Sequence, residues 1–302
     1  MKISLSRSVM VAGALTASMG LLAIAPAAHA TTEPTPSHRF TFDDFTVLGN
    51  TAADTGSNAG APGTGYGSPT PSVDVPSAAA SNAQSMEFNG SNYIEIPQPA
   101  GDSFTICAWI KTTATGNTDN HWESAPILDS ELGGWDFDYG FGISPTGNLM
   151  YGSGGYDVSD HSSPSDSTIQ STSTVNDNEW HDVCVARDNT TGIATFYLDG
   201  VDNGSGQTGV DPVNIKTMVA IGKGYDGSGQ YIGLIDDVRV YNTVLTDDEI
   251  VVAHDPSAAS DSELTSNSDL ADTGFNFGLL GVVGSALVAA GALLRIRLRS
   301  TK

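Results

Sequence analysis

Positively charged residues are scarce in this sequence. The 302 residues include 35 Asp and Glu but only 12 Lys and Arg. Half of the cations lie before residue 31 or after residue 273, whereas all the acidic residues lie between these positions. Residues 31–273 therefore hold six cations and 35 acids, which gives this segment a net charge of −29. Such a surface serves solubility, repels nucleic acid and anionic polymers, and favours divalent cations. DNA and RNA are therefore excluded as partners.

Cysteine is almost absent, with Cys107 and Cys184 as the two examples. Two lone cysteines are poor candidates for a metal site but fit an exported protein with one disulfide. Each lies opposite the more aliphatic face of its predicted strand, which is consistent with a bridge between neighbouring strands of one sheet. Such a bridge closes a loop of about eighty residues and stabilises the fold by about 4–5 kcal/mol in the chain-entropy treatment.

Long apolar runs occur only at the two ends. Residues 1–30 have a basic start, an apolar stretch and the small residues "AHA", which predicts a cleaved signal peptide rather than a buried helix. Residues 275–294 contain no charge and are long enough to span a bilayer at about 1.5 Å per residue. The basic tail "RIRLRSTK" follows this span, as expected for a cytoplasmic end. A single-pass membrane anchor is one interpretation.

The residues before that span favour a second interpretation. Leu270, Ala271, Asp272, Thr273 and Gly274 form "LADTG", which resembles the LPxTG family of sortase signals of Gram-positive wall proteins in its LAxTG variant. The order of motif, apolar span and basic tail also matches, although Ala271 stands where proline is usual. The resemblance implies cleavage after Thr273 by sortase and covalent attachment to peptidoglycan. The location would then be extracellular and cell-wall-anchored.

Helical periodicity is nearly absent between these ends. Residues 31–38 read as a polar leader, 39–254 as one organised domain and 255–269 as a Ser/Asp-rich stalk, with the sorting signal over 270–302. One short helix is predicted from Leu245 to His254, with acids near its N-terminus. From residue 255 to 273 the stalk reaches about 60–70 Å when extended, which suggests a ligand close to the attachment point.

Strand signals fill the domain. The segment "SFTICAWIKT" alternates apolar residues on one face, and "SMEFNGSNYIEIP" predicts a hairpin around Asn89-Gly90. The segments "WHDVCVARD" and "IATFYLDG" are joined by the turn "NTTG", and "GLIDDVRVYN" ends the set. Glycine- and serine-rich turns separate the runs. The fold class predicted is all-β, a two-sheet antiparallel sandwich, with a C-terminal hydrophobic helix in the precursor.

These blocks in order, together with "NTAADTGSNAG", resemble a laminin-G-like domain of the concanavalin A-like jelly-roll superfamily over residues 42–253. The pair "FTIC" and "WHDVC" is similar to the disulfide of pentraxins, but the spacing around His181 departs from the pentraxin signature. The resemblance implies a jelly-roll sandwich with a concave sheet and rim loops that commonly bind carbohydrate.

The resemblance also implies a structural calcium ion. Its matching positions are Asp54, Ser57 and Asn58 in "ADTGSN" and Asp236 in "LIDDVRV". Strict alternation places Asp236 on the face of Val238 and Val240, where a buried carboxylate needs a cation or several donors. Oxygen ligands of this kind suit calcium. The alternative is a carboxylate hydrogen-bonded to turn amides or to Arg239.

A weaker ligand site is predicted from acids and tyrosines in "WDFDYGF" and the loop that follows. Its residues are Asp136, Asp138, Tyr151, Tyr156 and Asp157. Aromatic faces stack on the C–H groups of sugars while carboxylates accept hydroxyl protons. A solvated strand edge is the alternative, and Trp109 and Trp180 are expected in the core rather than as sugar platforms.

No catalytic residue is predicted. The two carboxylates of a glycosidase need fixed separation, and the Glu-Xaa-Asp-Xaa-Xaa-Glu spacing of glycosidases in this superfamily is missing. Neither a Gly-Xaa-Ser-Xaa-Gly elbow nor His-Glu-Xaa-Xaa-His occurs. The expected function is a non-catalytic, wall-anchored module that binds a carbohydrate. The alternatives are a protein-binding adhesin, a structural surface protein and, less favoured, a glycoside hydrolase.

Overall fold

The computed structural model describes residues 32–77, 83–130, 137–154, 167–210, 212–213, 217–224 and 229–258. Two antiparallel β-sheets pack face to face over one apolar core. Alternating apolar residues produce this arrangement because each strand directs every second side chain to the same face. The prediction of an all-β, two-sheet sandwich is confirmed.

Sheet A contains eight of the described strands. They are β1 (His38–Phe40), β4 (Thr70–Ser72), β5 (Ser85–Asn89), β7 (Phe104–Thr112), β12 (Trp180–Asp188), β13 (Ile193–Leu198), β14 (Val201–Gln207) and β16 (Ile232–Tyr241). Their order is β14-β13-β12-β7-β16-β5-β4, and β1 also pairs with β16. The first strand therefore lies beside the last, so residues 38–40 of the chain belong to the folded domain.

Sheet B contains the other eight described strands. They are β2 (Thr51–Ala52), β3 (Gly63–Tyr66), β6 (Tyr93–Pro97), β8 (Ala125–Asp129), β9 (Tyr139–Ile143), β10 (Asn148–Ser153), β11 (Ser167–Thr174) and β15 (Met218–Ile221). Their order is β11-β10-β9-β8-β15-β6-β3-β2. A short 3-10 helix, His121–Glu123, precedes β8.

The hairpin predicted at Asn89-Gly90 is wrong. β5 pairs with β16 in sheet A, whereas β6 pairs with β15 and β3 in sheet B. The turn between them, with Gly90 at a φ of +83°, carries the chain from one sheet to the other. Both runs alternate because each buries its apolar residues in the same core from opposite sides, and a paired hairpin would show the same alternation.

Other local predictions are confirmed. β12 and β13 pair antiparallel around the "NTTG" turn, where Gly192 has a φ of +69°. The predicted helix is α1 (Asp247–His254), and Thr246 and Glu249 form a capping box at its start. The helix packs on the outer face of sheet A through the outer cluster of Cys107, Cys184, Ala186, Tyr197, Tyr241, Leu245, Ile250 and Ala253.

Candidate functional site

The outer face of sheet B presents a group of side chains at β3, β6 and β15. In β6, Tyr93 and Glu95 alternate with Ile94 and Ile96, which are fully buried in the core. Tyr93 and Glu95 therefore project to the opposite face of the sheet. The register places Tyr66 beside Tyr93, and it places Ala220 beside Glu95.

Two tyrosine rings form the aromatic part of this face. Tyr66 and Tyr93 stack with their centroids 4.9 Å apart and their planes 12° from parallel. Tyr66 is 40% exposed, which is high for an aromatic side chain that packs on another. The ammonium group of Lys223 lies 4.8 Å from the centroid of the Tyr93 ring, within the range of a cation–π contact.

These residues surround a shallow pocket of about 220 Å³, here named the Tyr93 pocket. It is lined by Tyr93, Glu95, Ala220, Lys223 and Gly224. The pocket combines an aromatic ring, a carboxylate that accepts hydrogen bonds and an ammonium group that donates them. That combination matches a sugar ring, which offers C–H groups and hydroxyls that both donate and accept.

Lys223 is distinctive among the cations of this acidic domain. The other cations in the described residues are paired with carboxylates or bound to buried backbone carbonyls, as follows: Arg39 with Asp237, Lys111 with Asp74, Arg239 with Asp182, and Arg187 with the carbonyls of Asp102 and Gly209. Lys223 makes no ion pair within the described part of the chain and contacts the Tyr93 ring instead. Among the described residues, its ammonium group is thus the one cation that pairs with an aromatic ring rather than with a carboxylate or a carbonyl.

The disulfide prediction is confirmed. Cys107 in β7 lies directly opposite Cys184 in β12, and the two sulfur atoms are bonded at 2.07 Å. Both residues belong to the outer cluster beneath α1, and Cys107 is fully buried. The signal in the sequence was the alternation of side chains, because in each strand the cysteine lies opposite the more aliphatic face, as expected for neighbouring strands of one sheet.

The loop predicted to bind calcium is held by hydrogen bonds. The carboxylate of Asp54 accepts from the backbone N–H groups of Arg39, Gly56 and Gly60 at 2.9–3.0 Å, and His38 Nδ1 lies 2.7 Å from its Oδ2. Burial alone would raise the pKa of Asp54, but the hydrogen bonds from His38 and these amides outweigh it and lower the pKa.

This arrangement does not fit a calcium ligand at Asp54. A carboxylate has about four lone-pair positions, and Asp54 has four nitrogen partners. Ser57 Oγ donates to the carbonyl of Pro36, and Asn58 N donates to the carbonyl of Ser37. Among the residues that the structure describes, no group of three or more His, Cys, Asp or Glu could hold a metal ion. Calcium stays a prediction of the resemblance.

Asp236 does not follow the alternation expected for it. A β-bulge between Asp236 and Arg239, with Asp237 at a φ of +43°, inserts an extra residue into β16. Asp236 is therefore opposite Trp109, on the outer face of sheet A, whereas Val238 and Val240 face the core. Asp236 is fully buried, and it accepts a hydrogen bond from the backbone N–H of Asp237 at 2.7 Å.

Two residues of the predicted acidic and aromatic patch, Tyr151 and Asp138, are buried rather than exposed. Tyr151 is fully buried in the core against Phe104, and burial raises the pKa of its hydroxyl to about 12. Asp138 is also buried, at 1% exposure. Tyr151 is inaccessible because its place in β10 turns it toward sheet A, and Asp136, Tyr156 and Asp157 lie outside the described residues.

Both predicted processing signals also lie outside the described residues. These are the signal peptide 1–30, and the sorting motif Leu270, Ala271, Asp272, Thr273 and Gly274 with the apolar span behind it. Within the described ranges, no helix is long and apolar enough to cross a membrane.

Comparison with known families identifies the domain. Residues 88–251, just over half of the chain, match the Laminin_G_3 family, described as the concanavalin A-like lectin/glucanases superfamily. The chain therefore belongs to this superfamily and carries a laminin-G-like domain.

Individual relatives are distant. Human (Homo sapiens) neuronal pentraxin-1 is 23% identical over 158 residues, which are 49% of this chain and 32% of that protein. The matched region thus spans about a third of this curated relative.

Two solved structures share the fold. One is domain 4 of AbnA, an extracellular arabinanase from Geobacillus stearothermophilus, which was solved in complex with arabinotriose. Its TM-score is 0.53 and its sequence identity is 19%, and the match covers 74% of this chain and 99% of that one. The binding domain of Paraclostridial Mosquitocidal Protein 1 has a TM-score of 0.51 and 12% identity, over 74% of this chain and 52% of that one.

The Tyr93 pocket was missed by the sequence analysis, although a signal was present. In "YIEIP" the polar face of the strand carries Tyr93 and Glu95, an aromatic and an acid two residues apart. Lys223 is one of only six cations in residues 31–273. Sequence alone did not bring these residues together because β15 pairs with β6 across more than 120 residues of chain.

Proposed function

We propose that the domain is a non-catalytic carbohydrate-binding module of an exported surface protein. The observation that carries this proposal is the Tyr93 pocket, in which a tyrosine ring, a carboxylate and an ammonium group face one another. Arabinotriose in domain 4 of the arabinanase supports it, because that domain has the same fold. Fold likeness raises the expectation of a glycan but does not name it.

The charges favour a neutral sugar. With 35 acids against six cations in residues 31–273, the domain repels anionic glycans at long range. Within the pocket, Lys223 donates to a hydroxyl and Glu95 accepts from one. The C–H groups of the sugar pack against the partly exposed edge of the Tyr93 ring, because its faces are covered by Tyr66 and Lys223. A pair of neighbouring hydroxyls on a neutral ring satisfies both side chains.

Isothermal titration of the full chain in mild detergent tests this function against a panel of neutral saccharides. Tyr93→Ala is expected to weaken binding about tenfold, equivalent to about 1.4 kcal/mol, because it removes the apolar contact with the sugar and the ring that positions Lys223. Lys223→Met and Glu95→Gln are each expected to weaken binding severalfold, because each removes one hydrogen-bond partner.

Matched controls come from the same residue types in sheet A. Lys111→Met removes a lysine that pairs with Asp74, and Glu87→Gln changes an exposed glutamate in β5. Neither control is expected to change the affinity. If the control and pocket variants weaken binding equally, the Tyr93 pocket is not the binding site.

The same titrations, run with calcium and then with a chelator, address the predicted metal. Because nitrogen donors surround Asp54, we expect the affinity and the melting temperature to be unchanged by the chelator. A fall in melting temperature that Asp54→Asn abolishes would instead support the calcium site that the resemblance implies.

Anchoring to peptidoglycan through Thr273 is proposed from the "LADTG" motif alone. Mass spectrometry of wall fragments from producing cells is expected to find a C-terminal peptide that ends at Thr273 and is linked to a cell-wall peptide. Recovery of an uncleaved tail, Gly274 to Lys302, from membranes would favour the single-pass anchor.

A protein ligand is the second candidate. It is favoured by adjacent exposed apolar residues in one loop, Val47 at 63% and Leu48 at full exposure. Capture of one surface protein by the wild type, and its loss in Leu48→Ser with glycan binding intact, would support this function. Equal capture by both chains would argue against it.

A further inference from the structure

A second, larger pocket lies beside the Tyr93 pocket. It has a volume of about 380 Å³ and is here named the Ser124 pocket. Its lining residues are Thr115, Asn117, Ser124, Gln230 and Ile232. The two pockets share no lining residue, so they are separate depressions.

The lining of the Ser124 pocket is polar and uncharged. Asn117 and Gln230 supply amides that donate and accept hydrogen bonds, and Thr115 supplies a hydroxyl. Ile232, which is 56% exposed, supplies an apolar wall. Because the described residues that line this pocket carry no charged side chain, it suits a neutral ligand rich in hydroxyl or amide groups.

Ser124 adds a polar group that protein contacts do not satisfy. The residue is 2% exposed, and its Oγ has no hydrogen-bond partner among the residues that the structure describes. A buried hydroxyl without a partner is unfavourable unless water or a ligand bonds to it. The Oγ atom packs against Gly142, where a Cβ atom would lie 2.4 Å from it, so the exposed amides of Asn117 and Gln230 are the groups that meet a ligand.

Glycines fix the walls of the pocket. A Cβ atom at Gly229 would lie 2.2 Å from the carbonyl oxygen of Ser124, and one at Gly116 would lie 2.7 Å from the carbonyl oxygen of Ile143. Both segments approach their neighbours so closely that only glycine fits. The pocket is thus formed by the backbone before any ligand arrives.

One pair of residues separates the two pockets. Lys223 of the Tyr93 pocket and Gln230 of the Ser124 pocket form an antiparallel bridge, and Gly224 N donates to the carbonyl of Gly229 at 3.0 Å. Since Gly229 in turn abuts Ser124, the pockets lie about two strand spacings apart, roughly 10 Å. That distance exceeds one sugar ring and is spanned by a short oligosaccharide.

We propose that the two pockets are subsites for one neutral oligosaccharide of three or more residues, an inference that rests on the proposed function. One residue packs against the exposed edge of Tyr93 and contacts Lys223 and Glu95. The chain then crosses the Lys223–Gln230 pair, and a further residue bonds to Asn117 and Gln230 in the Ser124 pocket. The domain accordingly prefers glycan chains to single sugars.

The test compares monosaccharides with trisaccharides on the full chain by isothermal titration. The probes are arabinose and arabinotriose, glucose and maltotriose, and N-acetylglucosamine and chitotriose. The wild type is expected to bind at least one trisaccharide about tenfold more tightly than its monosaccharide. In the double variant Asn117→Ala/Gln230→Ala this ratio is expected to fall to about one, with monosaccharide affinity unchanged. Both substituted side chains are exposed, so the fold is retained.

The control and the outcomes separate the two proposals. Asn242→Ala/Gln207→Ala removes two exposed amides elsewhere and is expected to leave the ratio unchanged. Binding of a monosaccharide that depends on Tyr93 supports the proposed function by itself. The second subsite is overturned if the trisaccharide then binds no more tightly than the monosaccharide, or if its tighter binding persists in Asn117→Ala/Gln230→Ala. If no probe binds, both proposals fail.

Discussion

Gly222 connects the core to the Tyr93 pocket through a single residue. It follows β15 and precedes Lys223, and its φ of +86° lies in the region that favours glycine. A Cβ atom there would also lie 2.2 Å from the Phe88 ring, which is buried in the core. The position of Lys223 thus depends on the absence of a side chain at its neighbour.

Gly222→Ala is therefore expected to destabilise the fold by roughly 2–5 kcal/mol, from backbone strain and overpacking together. Urea unfolding followed by tryptophan fluorescence measures the change. Gly60→Ala is the control, because its Cβ would meet only the far end of Asp54 at 3.9 Å. Equal stability of the two variants would contradict the steric account.

Residue-level prediction succeeded where alternation continued and failed where it broke. The side chains on each face of β7 and β12 were predicted correctly, because the two strands pair without a bulge on either side of their cysteines. Asp236 was assigned to the wrong face because one extra residue, Asp237, reverses the parity of β16. A positive φ at an aspartate is not visible in a local apolar pattern.

At the scale of elements, the disulfide joins two long central strands of sheet A. Cys107 and Cys184 are separated by 77 residues, and the segment between them includes all of β8 to β11. The bond therefore restrains a large part of the unfolded chain. The Tyr93 pocket lies on the other sheet.

Cys107→Ala/Cys184→Ala is expected to lower the free energy of unfolding by about 4 kcal/mol, chiefly through the unfolded state. Glycan affinity is expected to be retained below the unfolding transition. Denaturant titration with and without a reductant checks both points. Reduction should destabilise the wild type and leave the variant unchanged; any other pattern would show that the bond acts elsewhere.

Individual elements were easier to predict than their pairing. The helix from Leu245 to His254 was identified because its capping residues and acids are local signals. The assignment of β5 and β6 to different sheets was not predicted, because each of them pairs with a strand far away in the chain. The Tyr93 pocket depends on the same long-range pairing, which explains why its residues were not grouped.

At the scale of the whole molecule, stability depends on two sets of titrating groups. His181 and His254 donate hydrogen bonds to the carboxylates of Asp199 and Asp182, which raises the pKa of each histidine above the ordinary 6.5. These pairs stabilise the fold fully below about pH 6.5 and are lost as the pH rises through the folded pKa values. Burial alone would raise the pKa values of Asp54 and Asp199, but the hydrogen bonds that they accept outweigh burial and lower them. The stability that these carboxylates contribute is therefore lost only as the pH falls below about 4.

The melting temperature is therefore expected to be higher at pH 6 than at pH 8, by a few degrees for each kcal/mol lost. Carboxylates are already ionised across this range, so the histidines account for the difference. Differential scanning calorimetry of the wild type and of His181→Gln/His254→Gln checks the origin. If the variant loses as much stability as the wild type from pH 6 to pH 8, the pairs of His181 and His254 are excluded as the cause.

The pairing of β1 with β16 also delays completion of the fold during synthesis. His38 lies opposite Val240, about 200 residues later in the sequence. At about 5–20 residues per second, roughly 10–40 s of synthesis separate the two strands. Sheet A cannot be completed before its last strand emerges from the ribosome. A chain threaded through a membrane as an unfolded polymer would benefit from this delay, because the sandwich cannot close ahead of transport.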